Sequence, residues 1–255
     1  MTLAGFDISI IVPAFVAGLL VLATHVPMGQ RVLARGIVFI DLAIAQIAGL
    51  GVIAADMLGG EPQGWVVQVA AVSAALLGAL LLTYTEKRWP DIQEALIGVL
   101  FVLAASGGLL LLANNPHGGE RLKDLLVGQI LWVSYAQLLP MAVLTAVIVA
   151  VWLGLGERLG RLGFYIVFAF AVTASVQLVG VYLVFASLII PPLATRRWPE
   201  RGRLAAAYGL GVAGYALGLA VSTLADMPAG AMIVWCLAIL GMLLAQFAPA
   251  TGSPR

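Results

Sequence analysis

Apolar residues fill the chain in runs near twenty residues long: Ile8 to Val26, Gly36 to Met57, Gly64 to Tyr84, Ile92 to Ala113, Val133 to Leu155, Leu162 to Leu193, Leu204 to Leu224 and Ala229 to Phe247. About twenty apolar residues in a helix cross the hydrocarbon core, so each such run predicts a membrane span. The run from Leu162 to Leu193 is too long for one ordinary span and barely long enough for two. Charge decides between these. Two crossings with a tight turn near Gln177 to Gly180 put Arg31, Arg35, Lys87, Arg88, Arg158, Arg161, Arg196, Arg197, Arg201, Arg203 and Arg255 on one side, leaving Arg121 and Lys123 opposite. Eleven basic residues against two follow the positive-inside rule, whereas a single crossing would carry the loop RRWPERGR outside. A re-entrant dip in place of one crossing would leave the sides unchanged.

The expectation is an all-α polytopic membrane protein of eight to nine transmembrane helices, with the N-terminus outside and the C-terminus cytoplasmic. No linker divides it, so residues 1–255 read as a single transmembrane domain with a short disordered tail at 249–255. Pro13, the Gly49 and Gly51 pair, Gly107 and Gly108, Pro140, and the Pro191 and Pro192 pair are expected to mark packing or hinge points.

Composition narrows the function. The chain is 62% hydrophobic and 10% charged, and its net charge of +1 comes without a basic cluster, which excludes nucleic acid as a main partner. No Lys or Arg precedes Arg31, so the first apolar run is expected to remain a span rather than act as a signal peptide. The single Cys236 lies in an apolar segment and reads as a packed thiol. A phosphate-binding loop needs Gly-Lys followed by Ser or Thr, yet Lys87 follows Glu86 and Lys123 follows Leu122, so this chain is not expected to hydrolyse ATP. With only His25 and His117, a His-Glu-x-x-His zinc site is excluded, and the chain does not read as an enzyme.

Three places carry candidate chemistry. The second run contains one carboxylate, Asp41, with Gln46 five residues on, about 7.5 Å along the axis and roughly 140° around it. An ionised Asp in a span costs a few kcal/mol and usually faces a protein interior or a water-filled path. The alternative is a buried Asp bonded to backbone or to Arg35. Beyond the fourth run, His117, Glu120 and Asp124 are spaced to share one side of a short helix and form a candidate outer entry site for a metal ion. The alternative is a surface helix whose Leu122, Leu125 and Leu126 lie against the membrane. The outer loops also hold Asp7, Asp56, Glu61 and Asp226, which suits the arrival of a cation. His25, beside Pro27, reads as interfacial at the inner end of the first span.

At this point the chain resembles the ABC-3 type permeases, the membrane subunits of bacterial zinc, manganese and iron importers. VQLVGVYLVFASLIIPPLAT at Val176 to Thr195 is similar to the family's segment ending in Leu-Ile-Ile-Pro. EALIGVLFVLAASGG at Glu94 to Gly108 with LLVGQILWVS at Leu125 to Ser134, and DMPAGAMIV at Asp226 to Val234, extend the likeness over nearly the whole chain. The resemblance implies a type II ABC importer-like permease in the bacterial inner membrane. Implied with it are two permease copies around a central path, separate ATP-binding cassette ATPase subunits and an external metal-binding protein. A divalent metal ion, zinc by preference, is then substrate rather than resident cofactor. In the family, a carboxylate and a His four residues apart on the second helix contribute to the metal path; here Gln46 stands where the His is expected and Asp41 is one position early. The inner loop Gly154 to Gly163 is shorter than the family's docking loop, and Glu157, Arg158 and Arg161 are its candidate ATPase contacts. Two other functions are compatible with the residues alone: a stand-alone secondary carrier or channel, and a membrane scaffold.

Overall fold

The computed structural model describes residues 8–57, 64–112, 115 and 117–246, and all that follows concerns these. Asp7, Glu61 and the tail 249–255 lie outside the described residues, as do the side chains of Arg121 and Glu157. Ten α-helices follow one another: α1 Ile8–Arg35, α2 Ile40–Met57, α3 Trp65–Arg88, α4 Gln93–Leu112, α5 Gly118–Val127, α6 Tyr135–Leu155, α7 Gly160–Val179, α8 Val181–Ala194, α9 Glu200–Ala225 and α10 Ala229–Gln246. Among the described residues, eight helices are long and apolar enough to cross a membrane, and α8 is a shorter apolar helix. The fold is all-helical and polytopic, as the run pattern anticipates.

The first span is longer than its apolar run. A helix interior tolerates proline poorly because the ring removes one hydrogen bond and frees the carbonyl four residues back. α1 nevertheless continues through Pro27 to Arg35. The carbonyl freed by Pro27 is that of Ala23, and it accepts a hydrogen bond of 3.1 Å from the Tyr208 hydroxyl of α9. A neighbouring helix thus supplies the missing donor, which is how proline survives in a membrane interior. In α8, Pro192 frees the carbonyl of Leu188 in the same way, and Gly29 of α1 packs directly against that oxygen. Pro13, Pro140, Pro191 and Pro192 all lie inside continuous helices.

His25 is accordingly not at the inner edge. It lies ten residues before the end of α1, about 15 Å from it, and is fully buried. Its Nδ1 is 2.9 Å from the Thr24 hydroxyl and 3.0 Å from the Val21 carbonyl, and its Nε2 is buried without a partner among the described residues.

The real break comes at Gly180, which separates α7 from α8 and holds φ at +83°. Gly128 ends α5 with φ at +71°. The two glycines press backbone to backbone: a Cβ on Gly128 would lie 2.2 Å from the Val179 carbonyl, and one on Gly180 would lie 2.3 Å from the Gly128 nitrogen. Only glycine satisfies both the left-handed backbone and this approach. α8 then returns toward the end from which α7 set out, because a short turn joins it to α9, which packs against α1 through Tyr208 and Tyr215. The long run does contain two helices, as charge requires. With 14 residues, α8 covers only about 20 Å, so the reversal lies within membrane depth.

One end of the bundle gathers the basic residues. Arg31 stacks 4.2 Å from the Trp152 ring and donates to the Gly156 carbonyl at 3.2 Å, Arg35 stacks 4.4 Å from the Phe164 ring, and Arg161 lies 3.7 Å from Glu86. These contacts tie the ends of α1 and α3 to the α6–α7 turn.

Candidate translocation site

α2 carries both polar residues of the candidate site but gives them different surroundings. α1 ends at Gly36, whose φ of +69° lets the chain turn back into α2 within four residues. Asp41 therefore falls in the first turn of α2, not mid-span, where a carboxylate is favoured by the unpaired backbone N–H groups and the helix dipole. It is buried, and its Oδ1 has no hydrogen-bond partner among the described residues. Arg35 is not that partner; its guanidinium is engaged over Phe164.

A second carboxylate serves the same helix end. The Glu94 side chain of α4 accepts a hydrogen bond of 3.3 Å from the backbone N–H of Phe39. Next to it, Gln93 donates to the Leu82 carbonyl at 3.1 Å and to the Tyr165 hydroxyl at 3.3 Å, joining α3, α4 and α7. The polar cluster around the start of α2 is thus larger than the lone Asp41 of the sequence. Its only signal there was the Gln93-Glu94 pair opening an apolar run.

Gln46, one and a half turns on, is half-buried and lines a small cavity of about 10 Å³, room for roughly one water. Ala45 and Gly49 of α2 with Ala104, Ala105 and Gly108 of α4 form one wall, and Val176 and Val181 close the side next to the α7–α8 reversal. Asp41 is not among the lining residues, so the structure separates the two candidate residues.

The roof of the cavity is α5. Leu122, Leu125 and Leu126 face it, with Leu125 3.9 Å from where a Cβ on Gly49 would sit. The expected alternative, in which these leucines lie against the membrane, is corrected: because Gly128 seats α5 against the reversal, its apolar side covers α2 and α4. On the other side of α5, His117 Nδ1 lies 3.3 Å from Glu120 Oε2, with both side chains more than three-quarters exposed. Asp124 is exposed, and among the described residues no group of three or more His, Cys, Asp or Glu is arranged to hold a metal ion. His117 and Glu120 are brought together; Asp124 does not join them.

Of the candidate docking residues, Arg158 is exposed in the turn Gly156–Leu159, Arg161 is paired with Glu86, and the Glu157 side chain lies outside the described residues.

Eight helices able to span a membrane, a helix reversed at membrane depth and a largely apolar cavity roofed by a short amphipathic helix define a polytopic membrane protein. The chain matches the ABC 3 transport family over residues 7–155 and 149–248 and belongs to it. It is 27% identical, over 88% of its length and 82% of the relative's, to the manganese transport system membrane protein MntC of Halalkalibacterium halodurans. Its fold matches that of PsaBC from Streptococcus pneumoniae, solved in complex with Fab, with a TM-score of 0.75 at 19% identity, covering 96% of this chain and 93% of that one. An inward-facing structure described as a metal-chelate type ABC transporter gives 0.69 at 17% identity, covering 92% of this chain and 85% of that one. As a member of the family, the chain is a membrane permease subunit and not a catalytic enzyme.

Proposed function

We propose that the chain is the permease subunit of an ATP-driven importer for divalent metal ions, forming the translocation path as a pair of copies in a bacterial plasma membrane. Family membership over nearly the whole length carries the reading. The absence of any phosphate-binding loop in the sequence supports ATPase subunits as separate chains, and membership of the family supports an external metal-binding protein as the delivering partner. The basic end supports a cytoplasmic C-terminus and an external N-terminus.

The two candidate residues of α2 are both oxygen donors, the Asp41 carboxylate at the helix start and the Gln46 amide at the cavity. Carboxylates and carbonyls suit manganese, whereas zinc gains more from imidazole and thiolate. The manganese-named relative points the same way, so manganese takes precedence here over the zinc preference that the resemblance suggested. Weak oxygen ligation also lets an ion leave, with selectivity residing in the delivering protein. Docking of the ATPase falls to the turn around Arg158 and Arg161, which the Glu86 pair and the Arg31 bond to Gly156 connect to α1 and α3.

Reconstitution tests the reading. Affinity-purified chain from its native membrane is expected to bring an ATPase with it, and proteoliposomes of the complex should take up manganese only with ATP and a delivering protein present. Uptake by the chain alone would assign a secondary carrier or channel instead. Failure to recover any ATPase would favour a scaffold.

A further inference from the structure

An open groove of about 360 Å³ runs between the last turns of α8 and α10 at the basic end. Its walls are apolar, from Ile190 and Leu193 on one side to Ala238 and Met242 on the other, and its mouth is set by Arg196 and Arg197. We propose that this groove binds an anionic phospholipid, with the headgroup phosphate on the two guanidinium groups and one acyl chain laid along the groove.

The argument rests on charge and on what the arginines lack. Of the basic residues in the α8–α9 connection, Arg203 is committed locally, donating to the Trp198 carbonyl at 3.0 and 3.2 Å. Arg196 and Arg197 are exposed, and among the described residues neither has a carboxylate within ion-pair distance. Two exposed guanidinium groups lining one groove suit a phosphate diester, which they can meet with several N–H donors. The apolar part then distinguishes a lipid from a free anion. Gly241 lets α8 and α10 pack closely at the floor of the groove, since a Cβ there would lie 3.0 Å from Ile190 and 3.6 Å from Ala194. An acyl chain fills that cleft with the methylene contacts that hydrocarbon solvent would otherwise provide less tightly. Basic pockets between membrane helices on the cytoplasmic side commonly receive anionic headgroups.

Native mass spectrometry of the full-length chain tests it, with the protein released from micelles containing phosphatidylglycerol, phosphatidylcholine or inorganic phosphate. One phosphatidylglycerol should be retained per chain, with a preference over phosphatidylcholine of about twenty-fivefold, from roughly fivefold per guanidinium. Arg196→Gln with Arg197→Gln should abolish the preference. Ala238→Phe, which fills the cleft and leaves both charges, should displace the lipid; should that variant not fold, Ala245→Phe at the exposed end reports the same. Equal retention of the two lipids overturns the proposal, as does a preference that survives loss of both arginines. Displacement of phosphatidylglycerol by inorganic phosphate, with Ala238→Phe without effect, would make this a surface anion site instead. If Ala238→Phe turned a dimer into monomers with lipid retention unchanged, the groove would belong to a second copy of the chain.

Discussion

The two candidate residues of α2, Asp41 and Gln46, sit in differently built surroundings. At the first turn, Asp41 is buried near the Glu94 that accepts from the Phe39 N–H, and the cavity at Gln46 does not include it. At Gln46 the neighbours shrink to alanine and glycine, and a space remains that α5 covers from above. In the first region Glu94, Gln93 and Tyr165 hold helix ends together beside an Asp41 oxygen left without a partner among the described residues; the second keeps a polar group beside room. A buried polar residue in a membrane is therefore not one category. What separates the two is the size of the side chains around them, and that follows from Gly49, Gly108 and the alanines more than from Asp41 or Gln46 themselves.

The largest effect should come from removing the crossing that seats α5 over the open region. Gly180→Val would place side-chain atoms into the Gly128 backbone while forcing a β-branched residue to a φ of +83°. Backbone cannot yield as a side-chain tip can, so a loss of several kcal/mol, on the order of the whole stability of a domain, is expected. Gly128→Val should act equally. Recovery of folded protein by size-exclusion chromatography in detergent would fall to near nothing. A monodisperse Gly180→Val protein with an unchanged unfolding midpoint would mean that the reversal is not held by this contact, and the contrast between the regions would lose its structural cause.

Asp41 comes next, because its two readings predict different outcomes for one substitution. As a helix-end carboxylate it contributes up to ~2 kcal/mol through the N-terminal N–H groups and dipole, much of which Asn would retain. As a member of the path it contributes charge, which Asn removes. Asp41→Asn is expected to leave the protein folded within about 1 kcal/mol while lowering ATP-driven manganese uptake at least ~10-fold. Glu94→Gln, at the same helix end, should lower uptake far less. Parallel behaviour of the two variants, measured as initial uptake rates at matched protein, would place both carboxylates in the structural cluster.

Much of this fold is legible in the sequence, for reasons that can be located. Bilayer thickness fixes run length, and the loop charges decide that residues 162–193 turn back, so the reversal at Gly180 was within reach without coordinates. What the sequence hides is compensation between distant segments. Pro27 looks like the end of a span because the Tyr208 hydroxyl that replaces its hydrogen bond lies 181 residues away in the chain, and so His25 is read as interfacial when it is fully buried. Likewise, the leucines of α5 have the spacing of a membrane-surface helix, and only the packing of Gly128 on Gly180 turns them over the cavity. Asp41 was conspicuous for its charge, whereas the space beside Gln46 is made by small residues that carry no chemical signal.

The smallest expected effect is the one that asks most directly whether Gln46 faces the path. The cavity beside it is about 10 Å³, so a replacement must fit the volume of the amide, and imidazole does so with little added bulk. Gln46→His exchanges a hard oxygen for a borderline nitrogen, which zinc exploits better than manganese. A passing ion that is held more tightly leaves more slowly, so zinc uptake should drop a fewfold while manganese uptake changes by less than about twofold, a difference on the order of 1 kcal/mol. The fold should be untouched, since Gln46 makes no hydrogen bond that holds two helices together among the described contacts. Vesicles of the complete complex, loaded with each metal in turn through the same delivering protein, separate these effects. Should both metals slow by the same factor, the cavity would be a packing gap beneath α5, and the open region would differ from the closed one only in size, not in use.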